Sequence, residues 1–529
     1  MTASPIDTYA TEVRQFRQIL LWPLQLIPAS PLEPGQQPWE ALTRLATPWR
    51  EVPDAFAGDP STFPERHYAE FVTFLPYVQR FLYGEAPHRK TGYGESPITV
   101  FSRDDIARAR VTLDPGSPPI DLEVTRAQLY FFVDIEVVIP VLEVTAQDLD
   151  LTTAEDLLFR FGRAYPASWQ ADGQGSRCPA LVEWIGRTGE VLARSDYDDR
   201  ARYLGTVAHS RLAAIASHWV WFLLPLLPEH SEVTADLRYR QLEYYRMPIM
   251  GYLSFDDPGA LHRADFIRLA VGGPSPAYSL PFSSATLARF EEDFCYDRFW
   301  APAEPHEWAN TRFICTGHTF LVIGEHGSGF FTDAETGVQG QFERQYFVLG
   351  LLAHFHKAAL LMLSDRLVVA LSQLDLRNVE SIKKFKRTIR RAMATFLGFT
   401  HRYWFHEIST QDQARELFLL WRKHLNTDRL FAEVREEIQD MNEYLNSDSL
   451  RRQANTVVRL TVVTTLGLIG TIATGILGMN IFASADQPWH LRVLLFILVL
   501  IPTLLLTFYT VSRSRKLADF LERLSEGHR

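Results

Sequence analysis

The feature that most constrains this chain is a pair of long apolar runs near its C-terminus. Residues 457–481 contain one charged residue, Arg459, and residues 491–511 contain only Arg492. Each run reaches the ~20 residues that an α-helix needs to cross the hydrocarbon core of a bilayer. Only nine residues, 482–490, separate the runs, so the two predicted spans must run antiparallel. The sequence therefore predicts an integral membrane protein with a C-terminal hairpin of two transmembrane helices.

The charges around this hairpin predict its orientation. Lys and Arg gather at its two long ends, at Arg451, Arg452, Arg459, Arg513, Arg515 and Lys516, whereas the loop carries Asp486. Positive side chains concentrate on the cytoplasmic side of membrane proteins. Residues 1–16 contain three charges and no apolar core, so we expect no secretory signal. We expect a protein of the cell (inner) membrane with both termini in the cytoplasm.

Length and composition limit the remaining classes. A chain of 529 residues is too long for one ordinary domain. The net charge of −10 argues against nucleic acid as a partner. Cys178, Cys295 and Cys315 have no close metal-ligand spacing, which favours buried thiols in a reducing compartment. We find no nucleophile elbow, P-loop or persuasive triad, so we expect neither an enzyme nor a cofactor.

The two close histidine pairs of the chain are poorly spaced for binding a metal. His354 and His356 are two residues apart on a predicted helix and so do not share a face. His401 and His406 are five apart, which is also a poor spacing for a metal pair. We assign no zinc site from the sequence.

The order of strand-like and helix-like segments along the sequence predicts an α+β cytosolic domain with a mixed sheet, followed by long helices and the membrane hairpin. In chain order we expect an irregular lead (1–65), the mixed α/β domain (66–340), cytosolic helices (341–427), a stalk helix (428–456), the first span (457–481), an external loop (482–490), the second span (491–511) and a cytosolic tail (512–529). Asn446–Ser449 is poor helix sequence and can kink or interrupt the stalk.

Local patterns predict individual elements of the mixed domain. They are strands at 98–101 and 109–113, two strands in 129–144 divided around Val138–Pro140, a helix opened by a Thr152–Glu155 capping box, a helix over 207–224, and strands in 242–253 and 313–323.

One face of the first apolar run is partly polar. The residues Val457, Thr461, Thr464, Leu468, Thr471 and Gly475 recur at spacings of three and four, and so form one stripe of a helix. Small and hydroxyl residues on one stripe suit close helix packing in lipid. They also suit the wet lining of a pore. The stripe by itself favours close packing between helices, and a pore lining is the alternative interpretation.

The first run ends in Gly478-Met479-Asn480, which a short loop and the last apolar run follow. This triplet, at the outer end of the penultimate span, resembles the CorA-type divalent-cation transporters over roughly residues 340–529. The resemblance implies a homo-oligomer, a pentamer in the family, with a pore lined by the first span of each subunit. The function it implies is passive flux of divalent cations, and influx of Mg²⁺ is the favoured case.

The resemblance also gives the pore residues their expected roles. Mg²⁺ holds its water tightly, and the neutral amide of Asn480 can accept hydrogen bonds from that water at the outer mouth. Gly478 lets the backbone turn there, and Met479 is expected to pack, since its sulfur is a poor ligand for Mg²⁺. Thr461, Thr464 and Thr471 are expected to line the pore. Leu468 and Val457 are candidates for narrow apolar gates.

Further carboxylates are candidates for binding cations. The family's spacing implies an inner acidic ring near Glu443, and Asp486 can collect cations at the outer mouth. Asp196, Asp198 and Asp199 are candidates for a regulatory divalent cation in the cytosolic domain. The alternative for each is an ordinary solvated surface residue.

Two departures from the family pattern keep other functions open. Leu477 stands where the family commonly has an aromatic residue, and the loop lacks the usual glutamate-centred pattern. The alternatives are a non-conducting sensor or scaffold, a zinc transporter and a tension-responsive channel. Mg²⁺, Co²⁺, Ni²⁺ and Zn²⁺ all stay candidate ions.

Overall fold

The computed structural model describes residues 12–28, 37–44, 47–53, 65–85, 96–132, 135–233, 235–243, 246–271, 283–304, 306, 308, 310–375, 378–478 and 488–526. Along 445–459 and 510–526 it describes the backbone alone. The chain divides into two compact units, Met1–Ile438 and Gln439–Arg529. The domain boundaries drawn from composition stay a prediction.

The described strands are β1 (Glu12–Leu21), β2 (Leu24–Pro28), β3 (Arg50–Glu51), β4 (Ile98–Ser102), β5 (Ile106–Thr112), β6 (Ile120–Phe132), β7 (Val137–Asp150), β8 (Leu181–Gly186), β9 (Val191–Arg194), β10 (Leu227–Pro228), β11 (Leu237–Gln241), β12 (Ile249–Phe255), β13 (Cys295–Tyr296), β14 (Arg312–Cys315) and β15 (Thr319–Glu325).

The described α-helices are α1 (Glu40–Arg44), α2 (Glu65–Thr73), α3 (Pro76–Tyr83), α4 (Leu151–Arg160), α5 (Arg200–Ser210), α6 (Ser217–Leu223), α7 (Arg263–Val271), α8 (Ser284–Phe294), α9 (Gly329–Thr332), α10 (Val338–Gln341), α11 (Phe347–Ser372), α12 (Val379–Arg402), α13 (Asp412–Leu425), α14 (Thr427–Gly478) and α15 (Trp489–Glu526). A 3₁₀ turn (Pro258–Ala260) and a π-helical turn (Phe342–Tyr346) complete the set.

The strands of the first unit form one mixed sheet. Its main path runs β13-β14-β15-β12-β1-β7-β6-β5-β8-β9, and β2, β3, β4, β10 and β11 join at its sides. Most neighbours are antiparallel, but β12 and β15 pair in parallel, with Ile249 opposite Thr319. The predicted α+β architecture with a mixed sheet and long helices is confirmed.

Strand β1 corrects the expectation of an irregular lead over 1–65. It lies between β12 and β7 in the sheet, where Phe16 pairs with Leu253 on one side and Ala146 on the other. Phe16 and Ile19 are fully buried. The expectation is wrong here because the Pro-rich sequence around the strand dominates the local pattern, while the pairing that stabilises β1 is with distant strands.

In two segments, the chain turns at a different position from the one that the sequence predicts. The chain of 129–144 turns after Phe132, because Val137–Pro140 continues the pairing of β7 with β6. The single helix expected over 207–224 is two helices, α5 and α6. Helix α5 ends where Arg211 adopts the left-handed conformation, with φ of 60°.

The remaining local predictions need smaller corrections. The segment 313–323 is a hairpin of β14 and β15, and within 242–253 the strand β12 begins only at Ile249. The cap of α4 is Asp150, whose side chain accepts a hydrogen bond from the Thr153 N–H at 2.9 Å. The strands predicted at 98–101 and 109–113 correspond to β4 and β5.

Helix α11 belongs to the core of the first unit. The stretch Val338–Ser372 is long and apolar enough to cross a membrane, but 78% of its most apolar window is buried inside the protein. Helix α11 packs against α12 and α13 and touches β7 of the sheet. We therefore interpret it as a core helix of the first unit.

A buried ion-pair network joins the sheet to this helical layer. Glu143 on β7, with a side chain 2% exposed, lies 2.6 Å from Arg17 on β1 and 3.1 Å from Arg126 on β6. Arg17 also lies 3.0 Å from Glu343 in the π-helical turn before α11. The network fixes the start of α11 against the central strands.

Candidate functional site

The predicted pore-lining residues lie on α14. This helix is described without a break from Thr427 to Gly478, through the weak segment Asn446–Ser449. Unfavourable propensities of a few tenths of a kcal/mol per residue do not stop a long helix, because each added residue also adds a hydrogen bond. The interruption considered at 446–449 is therefore not found.

The part of the polar stripe whose side chains are described lies on the exposed side of α14 in the second unit. Thr464, Leu468 and Thr471 are exposed, whereas Ile469 is 8% exposed and Ala473 is 2% exposed. At about 100° per residue, Ile469 and Ala473 point roughly opposite to Thr464 and Thr471. The stripe is thus directed away from the side on which the helix packs within its own chain.

The threonine hydroxyls of the stripe bind their own helix. Thr464 donates to the carbonyl oxygen of Leu460 at 2.9 Å, and Thr471 donates to that of Gly467 at 2.9 Å. A hydroxyl has one hydrogen and two lone pairs. With its hydrogen directed into the helix, the exposed hydroxyl oxygen of Thr471 presents an acceptor to its surroundings.

One residue of this face was missed from the sequence. Thr474 is exposed, and its hydroxyl contacts the carbonyl oxygens of Gly470 at 2.8 Å and Thr471 at 3.1 Å. It lies about 60° around the helix from Thr471. The alternating spacing of four and three continues from Thr471 to Gly475 and so passes over Thr474, although a wider arc of the helix would have included it.

The other predicted site residues are placed as follows. Gly475 and Gly478 are exposed, and Gly478 is the last residue of α14. Glu443 is exposed on the same helix. Val457 and Thr461 lie in α14, where their backbone alone is described. Met479, Asn480 and Asp486 lie outside the described residues, so their roles stay predictions.

Helix α15 carries the second apolar run. Trp489–Tyr509 has the length and composition of a membrane span, and 12% of its apolar window is buried. In α14 the described residues include a shorter apolar stretch, Gly467–Ile476. Among the described residues of α15, two polar side chains are buried. They are Thr503 and Thr507, each 7% exposed. An apolar helix with this little burial needs lipid or another protein chain around it.

Two of the three aspartates proposed to bind a regulatory cation, Asp196 and Asp199, have side-chain partners within the first unit. Asp196 lies 2.6 Å from Arg202 and accepts hydrogen bonds from the Tyr203 hydroxyl at 3.1 Å and the Ser217 N–H at 2.8 Å. Asp199 caps α5. Over the described residues, no group of three or more His, Cys, Asp or Glu side chains could hold a metal ion. A regulatory ion stays a prediction.

Comparison with known proteins bears on the C-terminal part of the chain. Residues 363–513 match the family model described as CorA-like Mg2+ transporter protein. This is a family of transporters and not of enzymes. No curated protein matches the chain.

Among solved structures, the chain is similar to the complete structure of the CorA magnesium transporter from Methanocaldococcus jannaschii. The sequence identity is 15%, the match covers 52% of this chain and 95% of that chain, and the TM-score is 0.20. A TM-score of this size carries no inference about fold or assembly. The family match covers helix α12, the predicted stalk and both apolar runs. The C-terminal part of this chain, residues 363–513, is therefore CorA-like, as the resemblance at the hairpin predicts.

Proposed function

We propose that this chain is one subunit of a homo-oligomeric membrane channel for divalent cations, with Mg²⁺ as the favoured ion. The observation that supports this most is the exposed stripe of Thr464 and Thr471, which faces away from the buried Ile469 and Ala473 within the matched region 363–513. Two spans from one chain cannot enclose a pore. Several copies of α14, five in the favoured assembly, supply its wall.

The stripe suits an ion that keeps its water. Mg²⁺ dehydrates reluctantly, and its bound waters direct their hydrogens outward. Thr464 and Thr471 present hydroxyl oxygens whose hydrogens are already used. Rings of these oxygens accept hydrogen bonds from the hydration shell, and Asn480 adds a ring of amides at the outer mouth. Neutral acceptors bind weakly enough to release the ion, which conduction requires.

Leu468 is the proposed gate within the described stripe. It lies between Thr464 and Thr471 and is 53% exposed in the single chain. A ring of leucines around a narrow axis excludes water until the helices move apart. Val457 is the second proposed gate, eleven residues before Leu468 on the same stripe.

The membrane potential supplies the driving force for influx. Moving one elementary charge across 100 mV is worth about 2.3 kcal/mol, and a divalent ion gains about twice as much. With both termini in the cytoplasm, the Gly478-Met479-Asn480 triplet lies at the outer face, where the ion enters. The protein then belongs to the cell membrane and needs no resident cofactor.

A flux assay in liposomes tests this function. The full-length protein is reconstituted, and entry of Mg²⁺, Co²⁺, Ni²⁺, Zn²⁺ and Na⁺ is followed with indicator dyes at a set membrane potential. We expect divalent entry that an inside-negative potential accelerates. Asn480→Ala abolishes it without changing the size of the oligomer, and Asn442→Ala, outside the predicted span, is the matched control.

The outcomes separate the alternatives. An assembled oligomer that passes no divalent cation contradicts the channel and favours a sensor or scaffold. Entry of Na⁺ as fast as Mg²⁺ contradicts selectivity for divalent ions. Entry of Zn²⁺ alone contradicts the choice of Mg²⁺ and favours a zinc transporter.

A further inference from the structure

Helix α12 of the first unit has an apolar inner side and a basic outer face. Its inner side is a buried stripe at spacings of four, three and four, formed by Phe385, Ile389, Ala392 and Phe396. At about 100° per residue, the opposite side of the helix carries five cations within one arc. All five are exposed, and they are Lys383, Lys384, Arg387, Arg390 and Arg391. We call these five residues the basic face.

Little negative charge balances the basic face. Glu380 is the single acidic residue of α12, and it lies 2.7 Å from Lys383. In the part of the chain that the structure describes, no carboxylate is in ion-pair contact with Lys384, Arg390 or Arg391. Most of the basic face is therefore free to contact an anionic surface.

The neighbouring end of α11 is apolar and exposed. Val368 is 59% exposed, Val369 is 40% exposed and Leu371 is 54% exposed, and we call these three residues the α11 tip. Ser381 in the first turn of α12 donates to the Gln373 carbonyl oxygen at 3.0 Å and accepts from the Asp375 N–H at 2.8 Å. These bonds hold the start of α12 against the end of α11, so the tip and the basic face are neighbours.

We propose that the α11 tip and the basic face together bind the surface of a bilayer that contains anionic phospholipid. The cations pair with lipid phosphates, for which guanidinium groups are especially suited, and the apolar tip enters the headgroup boundary. Lys and Arg clusters beside apolar side chains are typical of such contacts.

The charge and the composition of the whole chain favour this partner. The same chain carries the apolar run Trp489–Tyr509, so the first unit is tethered to a bilayer once that run is inserted. The net charge of the chain is −10, which repels an anionic membrane in general. A contact with anionic lipid therefore requires a local basic face, and the basic face of α12 meets that requirement.

Hydrogen exchange of the full-length protein in lipid nanodiscs tests the proposal. One set of discs contains phosphatidylcholine alone, and the other also contains phosphatidylglycerol. We expect the amides of α12 at the basic face to exchange about fivefold more slowly in the anionic discs, a factor that a single basic residue near such a surface supplies. The amides of α5 should not change. High salt should remove the difference, because it screens exposed charges.

Two matched double variants test the basic face. Lys384→Gln combined with Arg391→Gln should remove most of the protection in the anionic discs. Arg200→Gln combined with Arg211→Gln is the control, because both residues are exposed in or directly after α5 and the change in charge is the same. It should leave the protection unchanged.

A third variant tests the apolar tip. Val368→Ser combined with Leu371→Ser keeps every charge and removes exposed apolar surface. We expect it to weaken the protection several-fold in the anionic discs. The salt dependence of the unmodified protein tests the same proposal without any substitution, so the test does not depend on the folding of a variant.

Several results overturn the proposal. They are equal exchange of α12 in the two kinds of disc, protection that high salt leaves unchanged, and an equal loss in the α5 control. Protection that is the same in both kinds of disc, and that disappears when the oligomer is dissociated, assigns this surface to a second copy of the chain instead. None of these readouts depends on ion flux, so this proposal and the proposed channel fail separately.

Discussion

The hydroxyl of Thr471 donates a hydrogen bond to the carbonyl oxygen of Gly467, one helical turn earlier, at 2.9 Å. Thr464 makes the same contact with Leu460. The bond uses the hydrogen of the Thr471 hydroxyl and leaves an oxygen acceptor on an exposed face of α14. This acceptor face is the chemical basis of the proposed pore, since the hydration shell of a cation offers hydrogens.

We expect Thr471→Val to reduce divalent flux about tenfold, because it replaces one ring of hydroxyls with methyl groups of nearly the same size. A lost acceptor of this kind is worth about 0.5–1.5 kcal/mol per hydrogen bond. Mg²⁺ entry into liposomes is the measurement. Oligomer size checks that the variant assembles.

Thr503→Val is the control for this substitution. Thr503 makes the same kind of bond, to the Val499 carbonyl oxygen at 2.8 Å, but it is 7% exposed on α15. Flux in this variant should stay within twofold of the unmodified protein. If both variants lose flux equally, the stripe has no special role.

The buried carboxylate of Glu143 should be important for the stability of the first unit. Its side chain is 2% exposed and lies between Arg17 and Arg126. Removing one member of a buried charge network typically costs about 3–5 kcal/mol. We expect Glu143→Gln to lower the free energy of unfolding by that order, measured by urea unfolding with tryptophan fluorescence.

Asp121→Asn provides the comparison. Asp121 pairs with Arg108 at 3.0 Å and Arg110 at 2.8 Å, and all three side chains are at least 35% exposed. Exposed pairs contribute about 0–1 kcal/mol. An equal loss in the two variants would contradict the special role of the buried network.

The turn between β14 and β15 requires glycine for two reasons. Gly317 has φ of +84°, and a Cβ added to it would lie 2.8 Å from the carbonyl oxygen of His424 on α13. The left-handed conformation alone costs an L-residue about 1–2 kcal/mol. The clash with the backbone adds to this, so Gly317→Ala should lower the thermal unfolding midpoint markedly.

Gly189→Ala isolates the first of these effects. Gly189 has φ of +89°, and a Cβ there would meet nothing within 4 Å. We expect this variant to lose only the conformational part, and hence less stability than Gly317→Ala. The reverse order in thermal scans would contradict the close approach of α13 to the turn.

Acid should destabilise the first unit through His218. Burial lowers the pKa of this fully buried imidazole to about 3, while in the unfolded chain it is about 6.5. Above pH ~6.5 the residue is neutral in both states and does not affect stability. Between these values the unfolded state alone binds the proton, so stability falls by about 1.4 kcal/mol per pH unit as the pH drops.

The variant His218→Phe should remove this contribution. The pH dependence of the unfolding free energy then decreases by about one proton, and exposed His209 replaced by Gln serves as the control. Urea unfolding at several pH values is the measurement. An unchanged slope in His218→Phe would show that this histidine does not cause the acid sensitivity.

The parts of this protein that the sequence predicts well depend on local pattern. Apolar length alone predicts the run of α15, and the helical pattern of residues 341–427 predicts α11 and α12. Strand β1 was missed because its place between β12 and β7 depends on partners more than a hundred residues away. The hairpin at Gly317 was missed because a single strand pattern runs across it.

Contacts between distant segments show a similar limit. The sequence places His401 and His406 at a spacing that is poor for a metal pair, whereas the structure brings both to one wall of a cavity with Arg80. The contact between the loop after α12 and α3 joins residues distant in sequence, and spacing along the chain does not reveal it. For the proposed pore, the sequence predicts which residues of α14 form the stripe on one helix face. The role of Asn480 at the outer mouth rests on the family resemblance.

Electron microscopy of the full-length protein in lipid nanodiscs tests the central claim most directly. We predict a symmetric ring, five-fold in the favoured assembly, in which α14 of each copy is nearest the axis and Thr464, Thr471 and Asn480 face it. A monomer, or a ring in which Thr471 faces lipid, would contradict the proposed pore.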